Sequence, residues 1–462
     1  MNKRFIIEIM LLLAVVSGLW SCYDDKGNYD YKNLISLQID TLGIKAEQTA
    51  YQFENFNVPV EVKYAGDEKN LSYEWKIYPQ DPKKDDDVQK YDSAVVLYTK
   101  AVFDTIIYEV PGAYYLTLTV TDNVQDLKEY FTMKLNVETL VSRGLCVMDE
   151  KNGLYDLNII KSAKLLTDIT ASEEQVYYHV YSGVNDTEVT NGKFLGRGTY
   201  SDNNVLYFFT ENGGLKLDVN TYEIMSNDFT SWFSFPMSVT AAPEAYVITS
   251  RPLEMIVTNG LVYVWDHRSM GVTTFGDRLD GDYKAAPYLP NISTSSFSSV
   301  IFDMKNKRFA PINQFGSNVG TFESTSTGEF DLNDIGSTKE LKFMENGFNS
   351  YTYAVFYDTE TSGYSLYVMD FSGATATPVK KYSMADCEGL TESSLYTFGN
   401  QGNVCFYASG SDLYQYKYAS TNKGAVVHSF SGETITGVEV FKNSGHAKDG
   451  KLLIVSTESG GE

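Results

Sequence analysis

The sequence predicts an all-β protein: an N-terminal β-sandwich followed by a β-propeller of six or seven blades. Three observations carry this reading. The 462 residues include 35 Tyr and 26 Phe against 11 Pro, and 43% of positions are hydrophobic, which favours strands and excludes disorder. Between about 34 and 138 apolar residues alternate with polar ones, and turn residues punctuate the runs. From Val141 onward a unit of apolar strand, polar turn and alternating strand recurs about every 51 residues, a propeller-blade spacing.

The chain opens with Lys3 and Arg4 before an apolar run whose uninterrupted part, Ile9 to Trp20, falls short of the ~20 residues that span a bilayer. Residues 1–21 therefore read as a signal peptide rather than a membrane helix. Leu19-Trp20-Ser21-Cys22 has the form of a lipobox, which makes Cys22 the expected lipidation site. Residues 22–33 form an acidic tether without apolar periodicity. The opening CYDDKGNYDY resembles that of surface lipoproteins of Bacteroidetes. That resemblance implies that the lipid anchor sits in the outer membrane and that Asp24 and Asp25 direct export to its outer face, the cell exterior.

Residues 34–138 hold seven expected strands: Ile35 to Ile39, Val58 to Tyr64, Leu71 to Tyr78, Ala94 to Tyr98, Val102 to Tyr108, Tyr114 to Val120 and Tyr130 to Val137. So many short strands in about 105 residues fit one sandwich. Tyr114, Leu116, Leu118 and Val120 share the face expected to be buried, and Trp75 is expected in the same core. YEWK around Trp75 and PGAYYLTLTVTD from Pro111 to Asp122 resemble the PKD domain, although no Gly-Asp-Gly follows Trp75. The resemblance implies a PKD-like, immunoglobulin-type sandwich.

Residues 141–462 form the expected propeller. Successive copies begin at Leu145, Val205, Met255, Val300, Ala354, Val404 and Leu452. A strand pair of this kind cannot bury both faces alone, whereas stacked blades bury them against one another. Ring closure needs either a strand from the N-terminal side or residues beyond Glu462, and the sequence leaves both open.

Function is less marked. Acidic residues number 60 against 37 Lys plus Arg, a net charge of -23, which disfavours nucleic acid. The four His are scattered among different repeats without metal-ligand spacing, and no GxSxG elbow or phosphate-binding loop occurs, so no catalytic residue, metal or cofactor is expected. Cys146, Cys387 and Cys405 read as buried free thiols, with a Cys387–Cys405 disulfide as the alternative. Aromatic loops between blades, with Trp232, Phe233, Tyr283 and Tyr288, are the expected ligand-stacking face. The whole arrangement resembles the PKD-like lipoproteins found beside SusC/SusD-type importers. It implies a non-catalytic surface protein that binds a glycan or peptide and presents it to the importer complex. The alternatives are a surface glycan lyase, hydrolase or peptidase with carboxylates in the propeller well, and a purely structural docking subunit.

Overall fold

The structure, a computed structural model, describes residues 35–80, 94–139, 143–198, 205–249, 253–269, 271–292, 297–313, 317–322 and 328–459. Cys22, Asp24 and Asp25 lie outside the described residues. The fold is all-β, with 53% strand and 6% helix.

Among the described residues the N-terminal region has nine strands rather than seven. A five-stranded antiparallel sheet runs in the order Glu47–Tyr51, Leu127–Glu138, Gly112–Asp122, Leu71–Pro79, Val95–Tyr98. Two smaller sheets pair Leu37–Asp40 with Glu61–Tyr64 and Asn55–Val58 with Phe103–Ile106. Along Gly112–Asp122 the buried positions are Tyr114, Leu116, Leu118 and Val120, as the alternation requires. Trp75 pairs with Leu118, is fully buried, and donates its indole N–H to the carbonyls of Lys100 and Ala101 at 3.0 and 3.2 Å. Asp122, the last residue of the PGAYYLTLTVTD segment, is also buried. It accepts bonds from the Tyr64 hydroxyl at 2.6 Å, the Gln125 side-chain amide at 2.6 Å and the Val124 N–H at 2.9 Å. The Tyr64 bond above all holds its carboxyl down at about 2.

The chain divides into two compact units, and their boundary departs from the change in sequence pattern. The first comprises 1–48, 56–105 and 113–135; the second comprises 49–55, 106–112 and 136–462. In the second unit the Phe53 N–H bonds the Ile107 carbonyl, and the rings of Phe53 and Tyr108 meet edge-to-face. Phe53 also packs on Tyr177 and Tyr222, so these two short segments contribute to that unit's core.

Among the described residues, the rest of the second unit holds seven antiparallel sheets in chain order. The first contains Leu145–Lys151 and Leu154–Lys161, with Gln175–Tyr177 and Val189–Thr190 both paired to the latter. The second is the meander Gly192–Gly198, Val205–Thr210, Gly213–Asp218, Ile224–Ser226, and the third is Pro243–Ile248, Leu253–Thr258, Leu261–Asp266. The fourth has two full strands, Phe297–Asp303 and Arg308–Asn313, flanked by single bridges from Ala285 to Asp303 and from Val319 to Ile312. Sheets five and six are four-stranded, over Lys339–Ser383 and Leu395–Ser429, and the seventh pairs Glu433–Val440 with Leu453–Ser459. Every repeat copy found in the sequence is a hairpin in one of these sheets or, for the last, one of its strands.

Alternate residues of a strand pack against different neighbouring sheets. Leu206 and Phe208 join the core shared with the first sheet, whereas Val205, Tyr207 and Phe209 join that shared with the third. Val300 and Phe302 face the fifth sheet while Ile301 faces the third. Burial on both faces explains why these strands read as continuous apolar runs, although their side chains still alternate.

Candidate functional site

A cleft of about 540 Å³ opens where the first, second and seventh sheets come together. The pairing register fixes its floor. Cys146 lies opposite Ile159 in the first sheet, and Arg197 lies opposite Leu206 in the second, at one end of each strand set. Ile159, Leu166, Leu206 and Tyr222 are buried there and supply apolar surface. Phe441 and His446 follow the strand Glu433–Val440 and close the remaining side.

The rim is polar and locally basic. Arg143 donates from Nη2 to Asp168 Oδ2 at 2.7 Å, and this bond holds the Asp168 carboxyl below the usual range. Arg197 is exposed at the end of its strand. His446 Nδ1 accepts the Lys448 N–H at 3.1 Å, and its ring meets Phe441 edge-to-face at 5.1 Å, which leaves Nε2 to carry the ring proton. Asn220 and Asn443 add exposed amides. Burial pushes the Cys146 thiol up to about 12, so it is no nucleophile at neutral pH. Among the described residues lining the cleft Asp168 is the only acid, so the paired carboxylates of glycoside hydrolysis are not assembled there. The arrangement suits ligand recognition: cationic and amide donors around an apolar floor.

A second polar centre lies between the second and third sheets. Glu254 is buried, accepts the Tyr207 hydroxyl at 2.8 Å and lies 2.8 Å from His267 Nε2, itself buried. A Cβ on Gly198 would sit 3.2 Å from Glu254 Oε1, so glycine there preserves the close approach. The Lys216 amine lies 4.9 Å from the Trp232 ring, 5.5 Å from Trp265 and 5.7 Å from Tyr207. Burial lowers it to about 8, with the charge of Glu254 acting in the opposite sense. Such a hydrogen-bonded interior network orders the packing of two sheets.

The expected aromatic face is not formed. Trp232, Phe233 and Tyr283 are buried, at 2%, 2% and 7% exposure, and Tyr288 is partly buried. Trp232 donates its indole N–H to Ser226 Oγ at 3.1 Å, and Phe233 packs against Tyr263 and Phe275. The Tyr283 hydroxyl donates to the Leu279 carbonyl at 3.1 Å and that of Tyr288 to the Lys342 carbonyl at 2.6 Å. These segments run between strands, but they fill the wedge between neighbouring sheets, where large rings bury most area. Cys146, Cys387 and Cys405 are free thiols, Cys146 partly exposed and the other two buried.

Sequence reasoning missed Arg143, Arg197 and His446, because a cleft joining positions some 300 residues apart leaves no local pattern. Glu254 did leave one: a single carboxylate inside the apolar strand Leu253–Thr258.

No curated protein matches the chain. Among solved structures it is similar to the extracellular domain of a hybrid two component system of B. thetaiotaomicron, at 10% identity and TM-score 0.30, covering 58% of this chain and 30% of that one. It is also similar to that of a second such system of the same organism, at 10% identity and TM-score 0.18, over 74% and 54% of the two chains. A third is PorZ, a surface component of the type-IX secretion system of Porphyromonas gingivalis, at 11% identity and TM-score 0.17, over 71% and 48%. The chain thus spans between 30% and 54% of these proteins. Residues 22–191 match the PKD-like family, a segment that runs through the N-terminal sheets and the first of the seven sheets of the second unit.

Proposed function

We propose that the chain is an outer-membrane lipoprotein that binds a nutrient at the cell exterior without transforming it and presents it to a SusC/SusD-type importer. Cys22 carries the lipid, and Asp24 and Asp25 direct export, a reading that rests on the sequence alone. The second unit is a seven-bladed β-propeller. Support comes from the seven consecutive antiparallel sheets and from strands whose alternate side chains serve the cores on either side.

The observation that carries the binding reading is the cleft. In a chain of net charge -23, Arg143, Arg197 and the His446 ring converge on one cavity with an apolar floor. The test incubates the full chain, held on lipid vesicles, with a panel of oligosaccharides and peptides. A ligand retained and recovered chemically intact is the expected result. Product formation would establish the enzyme instead, and retention of no ligand alongside co-purification with the importer would favour a docking subunit.

A further inference from the structure

We infer that the cleft between the first, second and seventh sheets holds the C-terminal end of a peptide, its carboxylate on Arg143 and Arg197 and its last, apolar side chain on the floor. This deepens the reading of the chain as a nutrient-binding protein and rests on it.

The charge balance of the lining sets the ligand's charge. Two guanidinium groups face one carboxylate, Asp168, which leaves one positive charge for a ligand to neutralise. Among the described residues, Arg143 is already paired with Asp168, but both side chains are more than half exposed, so exchanging that partner for another carboxylate costs little. Arg197 has no ion pair to surrender among the described residues, and its planar fork suits two carboxylate oxygens. His446, with Nδ1 occupied by the Lys448 N–H, offers Nε2 as a further donor, and the Asn443 amide adds another. One uncompensated guanidinium charge beside these donors fits one carboxylate. A polyanion would meet the acidic surface that the rest of the chain supplies.

The floor decides between a peptide end and a uronic acid. Its surface comes from Ile159, Leu165, Leu166, Leu206 and Val219, which are aliphatic. Branched aliphatic surface matches an apolar side chain, whereas a sugar ring is usually held by flat aromatic faces. Of the aromatic rings here, Tyr222 is buried at its base and Phe441 meets His446 edge-to-face. The volume of about 540 Å³ admits two or three terminal residues.

The test titrates the full chain with acetyl-Gly-Ala-Leu as the free acid, with its C-terminal amide, with the free acid ending in Ser, and with galacturonate, followed by calorimetry. The free acid ending in Leu is expected to bind at least about tenfold more tightly than its amide, as a charge-assisted bond implies. It is also expected to bind several-fold more tightly than the Ser-ended peptide. Arg197→Gln is expected to abolish the acid-amide difference, Arg197→Lys to restore part of it, and thermal melting verifies that both variants fold. Equal affinity for acid and amide, or an unchanged difference in Arg197→Gln, overturns the inference while leaving a binding protein. Tighter binding of galacturonate than of any peptide replaces the peptide by a uronate. If none of these probes binds but a wider panel contains a retained ligand, the inference alone fails; if that panel also fails, the binding reading falls with it.

Discussion

Trp232 supports two sheets and leaves no ring for a ligand. At 2% exposure among Phe229, Phe209 and Tyr207, it fills the wedge between the second and third sheets. Trp232→Ala is expected to cost about 3–5 kcal/mol of stability and to leave the affinity of any ligand of the cleft unchanged. Denaturant melts and titration of the same sample check both parts. Lys216, in the same wedge, gives a pH signature. Its folded value of about 8 lies below the ordinary 10.5, so between those values the unfolded chain binds more protons than the folded one. This group therefore opposes folding fully below pH 8, and the opposition fades as pH rises towards 10.5. Relative to Lys216→Met, the natural protein is expected to gain roughly 1–3 kcal/mol between pH 7.5 and 10. Parallel stability profiles for the two proteins would contradict this.

Hairpins were the most legible elements, because their turns need particular residues. Asn152-Gly153 and Asn259-Gly260 both take positive φ, at 57° and 80° and at 50° and 71°, the geometry of two-residue turns between tightly twisted strands. A Cβ on Gly260 would meet Lys284 Cγ at 2.8 Å, whereas one on Gly153 would meet nothing within 4 Å. Gly260→Ala is expected to cost about 1–2 kcal/mol from the strained backbone, with the Lys284 contact adding to it, so it falls above Gly153→Ala in a melting comparison. Strands outside the hairpins were hidden for physical reasons. Glu47–Tyr51 carries Glu, Gln and Thr on an edge of its sheet, with little apolar pattern to read. Ile224–Ser226 has three residues, and the flanks of the fourth sheet are single bridges at Ala285 and Val319. The aromatic loops are packing residues, and the cleft is assembled from strand ends and connecting segments that only the stacking of sheets brings together.

The change of sequence texture near Val141 and the compact units do not coincide. Segments 49–55 and 106–112 belong with the second unit, and the PKD-like family match continues to residue 191, the last before the second sheet begins at Gly192. The family match thus takes in the N-terminal sheets and the first sheet of the second unit, with the remaining six sheets beyond it. Placement of the protein depends on residues outside the described structure. Cys22→Ala is expected to release the protein from the membrane fraction, and replacing Asp24 and Asp25 by Ala to leave it lipidated but protected from protease added to intact cells. Equal protease sensitivity of that double variant and the natural protein would contradict the outward signal.

In the proposed reading, ligand enters the cleft at Arg143 and Arg197. The most direct measurement compares the natural full chain with an Arg143→Gln, Arg197→Gln double variant in retention of ligand from one mixed panel of peptides and oligosaccharides. Both positions lie on the rim, where substitution leaves the sheet cores intact. The double variant is expected to melt like the natural protein and to retain at least about tenfold less of whatever that protein holds. Undiminished retention by the folded double variant would place the ligand elsewhere.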